Sequence, residues 1–96
     1  MQVAKPQDAT FSACLAVAKK FPRWNIEYED SASGIIEGVA VTALLRFKDD
    51  WVIRVRGSGT ETVVDMRSKS RLGKGDLGAN AARIKEFFAK VKEEVQ

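Results

Sequence analysis

The chain has 96 residues, of which 45% are hydrophobic and 30% charged, and its formal net charge is +3. That size and mixture suit one globular α+β domain with a single core, and they exclude a disordered tail or a membrane-spanning bundle. Histidine is absent and Cys14 is the lone cysteine, which removes the usual near-neutral acid–base group, the usual metal ligand and any internal disulfide.

Residues 1–8 are short and polar, without an apolar leader core, and no run nears the roughly 20 apolar residues of a spanning helix. The expectation is a chain soluble as written, either cytoplasmic or the soluble part of a membrane-attached protein. Asp8 is a good N-cap for a first helix. Phe11, Cys14, Leu15, Ala18 and Phe21 follow at helical spacing, Lys19 and Lys20 complement the dipole of the last turn, and Pro22 stops it. Residues 24–29 alternate, with Trp24, Ile26 and Tyr28 on one face, which predicts a half-buried strand. A turn-rich cluster at 30–34 leads into a longer apolar strand over 35–45, bent near Gly38. Lys48, Asp49 and Asp50 form the next turn. Trp51, Ile53 and Val55 then alternate with Arg54 and Arg56 in a third strand that ends at the glycine-flanked tip 57–59. A fourth strand over 62–70 points Thr62, Val64, Met66, Ser68 and Ser70 inward and Val63, Asp65, Arg67 and Lys69 outward. A glycine-containing loop over 71–76 feeds a long helix over 77–95, whose expected apolar stripe is Leu77, Ala81, Ile84, Phe88, Val91 and Val95.

The order α-β-β-β-β-α predicts a four-stranded antiparallel meander with both helices on one face. Edge strands of so small a sheet leave the choice of monomer or dimer open. Residues 51–75 carry six basic and two acidic side chains, a local excess of four. A concentration of this kind points to an anionic ligand or a protein partner. Nucleic acid is disfavoured, because no exposed aromatics interleave with the cations. The candidate binding residues are Arg54, Arg56, Arg67, Ser68, Ser70, Arg71, Lys74, Asp76, Asn80 and Arg83. The loop before the last helix has the glycines and helix N-terminus of an anion site, but its spacing is not that of a P-loop. No spacing points to a cofactor, a metal or a catalytic group, and none is expected.

The segments 47–54 and 64–71, followed by Gly73, Asp76, Leu77, Gly78, Asn80, Ala81, Arg83 and Ile84, resemble the signature of the domain-of-unknown-function 1499 family. The resemblance covers nearly the whole chain. It implies a bacterial-type domain without an assigned activity, here as one piece of a longer protein.

Each candidate has a structural reading beside the functional one. Arg67, Ser68, Ser70, Arg71, Asp76, Asn80 and Arg83 suit a polar knot at the strand–helix junction, and that reading ranks first over an anion site. Asp49 and Asp50 read as turn residues, Cys14 as a buried inert thiol, and Trp24 and Trp51 as core. A non-catalytic binding or interaction module leads. A small-molecule or lipid carrier with a pocket between sheet and helices comes second, and an enzyme third.

Overall fold

The computed structural model describes residues 1–71 and 77–96. The strands are β1 (Gln2–Val3), β2 (Trp24–Asp30), β3 (Ile35–Val41), β4 (Lys48–Ser58) and β5 (Glu61–Ser70); the helices are α1 (Gln7–Lys20) and α2 (Leu77–Glu94). The sheet is antiparallel throughout, in the order β1-β5-β4-β3-β2. The expected meander is therefore present, with a fifth strand where four were expected. β1 places Gln2 opposite Val63 and Val3 opposite Thr62. Two residues carry no readable period, which is why the sequence pattern does not announce this strand.

One face of the sheet is covered by both helices. Its central rows are Trp51, Ile53 and Val55 from β4, Val64 and Met66 from β5, and Ile36 and Ala40 from β3. Against them lie Phe11, Cys14, Val17 and Ala18 of α1 and Phe87 and Val91 of α2. Burying each large side chain here is worth about 1.5–3 kcal/mol. An aromatic ladder seals one end: Trp24 stacks on Phe21 at 4.4 Å, leans on Trp51 at 4.9 Å and stacks on Phe87 at 5.9 Å.

Several local expectations are corrected. Pro6, not Asp8, occupies the N-cap position of α1; no side chain caps the helix, and Asp8 sits in the first turn, accepting a hydrogen bond from the Ala9 N–H. Tyr28 does not share the face of Trp24 and Ile26. The register shifts between Ile26 and Tyr28, so Glu27 is the extra residue and Tyr28 turns to the outer, exposed face. Gly38 stands opposite Ile26 at this bulge, and a Cβ there would collide with the Trp51 ring and the Asn25 carbonyl.

The apolar strand expected over 35–45 ends at Val41. Residues 42–47 form a loop closed by two hydrogen bonds, from Thr42 N–H to the Phe47 carbonyl and from Phe47 N–H to Thr42 Oγ1, both 2.8 Å. Arg46 takes a left-handed conformation (φ 57°) to complete the turn. Asp49 and Asp50, expected in that turn, are instead in β4, opposite Ser70 and Lys69.

The stripe of α2 is also shifted. Phe87 and Val91 are fully buried with Asn80, whereas Ala81 is exposed and Ile84, Phe88 and Val95 pack at the margin. Phe87 and Phe88 are adjacent, and spacing from Ile84 permits either, so periodicity alone does not choose between them. No helix among the described residues is long and apolar enough to cross a membrane.

Candidate functional site

The two-residue period of β5 carries inward from Val64 and Met66 to Ser68 and Ser70. The same period in β4 carries inward from Trp51 back to Asp49. Two hydroxyls and a carboxylate thus reach the helix-covered face where α2 begins. α2 answers with Asn80 and, one turn on, Arg83.

These five side chains satisfy one another. The Ser68 hydroxyl donates to Asn80 Oδ1 at 2.6 Å, and Asn80 Nδ2 donates to Ser70 Oγ at 3.1 Å. Arg83 Nη1 donates to Ser68 Oγ at 3.0 Å and to Asn80 Oδ1 at 2.9 Å. Arg83 Nη2 meets Asp49 Oδ2 at 2.9 Å. Asp49 is 3% exposed, and the Arg83 side chain 14%. A carboxylate so removed from water requires its cation, since an unpaired buried charge costs several kcal/mol. A polar knot is therefore present, and its anion is supplied from within by Asp49. Of the members expected for it, Ser68, Ser70, Asn80 and Arg83 take part, Arg67 and Arg71 do not, and Asp76 lies outside the described residues. Sequence reasoning treated Asp49 as a turn residue; extending the alternation of Trp51, Ile53 and Val55 by one step toward the N-terminus places it inward.

Beside the knot, Trp51 Nε1 is buried without a hydrogen-bond partner among the described residues. An open groove of about 350 Å³ borders the same corner, lined by Phe21, Arg23, Trp24, Thr42, Ala82 and Arg83 among others.

The remaining described candidates, Arg54, Arg56, Arg67 and Arg71, lie on the opposite, helix-free face. Arg54 is opposite Asp65, Arg67 opposite Val52, Lys69 opposite Asp50 and Arg56 opposite Val63. Arg56 Nη2 reaches diagonally to Asp65 Oδ2 at 3.0 Å. Arg71 clamps Asp50 through Nε and Nη2 at 2.9–3.1 Å, and those hydrogen bonds hold its guanidinium above its ordinary pKa. Both pairs are exposed, so each adds little to stability. Both acids are thereby occupied, and Arg54, Arg67 and Lys69 are exposed and carry no ion pair among the described residues. The ten candidates thus divide: Ser68, Ser70, Asn80 and Arg83 meet in the knot, Arg54, Arg56, Arg67 and Arg71 lie outside, and Lys74 and Asp76 fall outside the described residues. Cys14 is buried in α1, and burial pushes its thiol up to about 12.

A family model described as "Protein of unknown function (DUF1499)" matches residues 1–91. Among solved structures, a DUF4468 family protein from Bacteroides ovatus superposes with a TM-score of 0.53 at 13% identity, covering 99% of this chain and 83% of that one. At that identity the likeness speaks to the fold alone. Comparison with curated proteins finds no match.

Proposed function

We propose that this chain, which belongs to the DUF1499 family of proteins of unknown function, is a non-catalytic interaction module that takes an acidic protein segment on the outer face of β4 and β5. The observation that carries this reading is the division of the polar residues. The junction consumes its own charges, Arg83 against Asp49, while Arg54, Arg67 and Lys69 stand exposed and unpaired on the open face.

The arrangement favours an extended chain over a small anion. A phosphate is held by donors that converge on one point. Here successive outward cations follow the strand, Arg67 and Lys69 roughly 7 Å apart along β5, with Arg54 diagonal to Arg67 on β4. A row of that kind matches carboxylates spaced along an extended segment. β1 pairs with Thr62 and Val63 of β5, and Met1 bonds both backbone groups of Val64. No other described strand pairs with that edge, which leaves its part beyond Val64 available for an added strand.

The carrier reading receives less support, because Trp51, Phe87, Ile36 and Ile53 fill the space between sheet and helices. The enzyme reading receives less support, because Cys14, the lone cysteine, is a buried thiol held neutral.

Fluorescence anisotropy with a labelled poly-glutamate peptide tests the proposal. Binding is expected at low salt, weakening steeply as salt rises, and the Arg54→Glu/Arg67→Glu variant is expected to lose it while melting as the parent does. No binding at low salt, or binding that this variant keeps, overturns the reading.

A further inference from the structure

The 42–47 loop breaks the rule that this fold otherwise keeps. Leu44 is 89% exposed, Leu45 65% and Phe47 44%, on a loop that the Thr42–Phe47 hydrogen bonds hold closed. Single exposed apolar residues are ordinary; three within four positions on one tip are not. The charges nearest the tip along the chain are basic, and Glu86 of α2 is the acid that lines the groove beside Thr42 and Ala43. Arg46 lies within it and Lys48 follows it. Arg23 is tied to its base, with Nε donating to the Val41 carbonyl at 3.2 Å. None of the three cations has an ion pair among the described residues. The nearest acids in sequence, Asp49 and Asp50, are taken by Arg83 and Arg71.

We propose that this tip is a membrane-docking element that seats on an anionic lipid surface, with Leu44, Leu45 and Phe47 entering the headgroup–acyl boundary and Arg23, Arg46 and Lys48 contacting lipid phosphates. The chemistry selects this occupant over a protein. An interface with a folded protein needs about 800 Å² on each partner and some twenty residues a side; a tip of three side chains offers far less. A lipid boundary requires no matching shape. It rewards apolar groups ringed by cations, and that is the composition of this tip. The preformed closure of the loop means that its apolar side chains are already presented, so little ordering is needed on docking.

Co-sedimentation with vesicles tests this, using phosphatidylcholine alone and phosphatidylcholine mixed equally with phosphatidylglycerol. The chain is expected to sediment with the anionic vesicles at low salt and to stay in solution with the neutral ones. The Leu44→Ser/Leu45→Ser variant is expected to weaken vesicle binding roughly tenfold or more and to melt as the parent does. Arg46→Gln and Lys48→Gln are expected to weaken it about fivefold each. No sedimentation with anionic vesicles, or sedimentation unchanged in the double-serine variant, overturns the proposal. The Arg54→Glu/Arg67→Glu variant is expected to keep the Leu44-dependent binding, so this proposal and the acidic-segment reading fail separately.

Discussion

Replacing Arg83 by methionine keeps most of the length of the side chain and removes its charge. Asp49, 3% exposed, then holds a carboxylate with no ion pair among the described residues. Breaking a buried pair from one side costs about 3–5 kcal/mol. A domain of 96 residues has roughly 5–15 kcal/mol in all, so Arg83→Met is expected to remove about a fifth or more of the total. At about 4–8 °C per kcal/mol for a chain of this size, a loss of 3 kcal/mol lowers Tm by at least ~12 °C. Urea unfolding at neutral pH measures the cost directly, provided the slope is unchanged. The double variant Asp49→Leu/Arg83→Met removes both charges and is expected to return to within about 1 kcal/mol of the parent, or to exceed it. Arg83→Met within ~1 kcal/mol of the parent, or a double variant as unstable as the single, refutes the knot as a structural device. If the single variant does not fold, recovery in the double variant still decides.

Three further outcomes check other parts of the fold. Gly38→Ala is expected to destabilise by about 1–3 kcal/mol in urea, because the new methyl meets the Trp51 ring and the Asn25 carbonyl; a neutral result contradicts the placement of Trp51. Phe87→Ala is expected to cost about 3–5 kcal/mol, whereas Ala81→Ser stays within roughly 0.5 kcal/mol; the reverse ranking contradicts the orientation of α2. Cys14 ionises ordinarily at 9.0 and in the fold at about 12. The folded state is therefore fully favoured by this group below pH 9.0 and loses that advantage between 9.0 and about 12. At pH 8 the thiol is expected to resist iodoacetamide until the chain unfolds; fast alkylation of the native chain contradicts its burial.

Much of the fold is legible in residue order because β4 and β5 obey the two-residue period and Pro22 stops α1. The same period, followed through Ser68 and Ser70, locates the polar junction. What it hides has physical causes. Apolar composition over 42–47 imitates a strand, and nothing in a single sequence says that Leu44 and Leu45 stay in water. Two consecutive aspartates read as a turn, although only Asp50 faces solvent and Asp49 is carried inside by the pleat. The bulge at Glu27 reverses the face of Tyr28 without altering the local alternation. Which arginines remain unpaired depends on cross-strand register: Asp65 reaches Arg56 diagonally rather than Arg54 directly opposite.

An amide NMR titration with poly-glutamate at low salt tests the central claim most directly. Shifts are expected along Arg54, Arg67 and Lys69 on the open face, while Asn80 and Arg83 in the closed knot stay still. Movement confined to Asn80 and Arg83, or no movement anywhere on β4 and β5, contradicts the account.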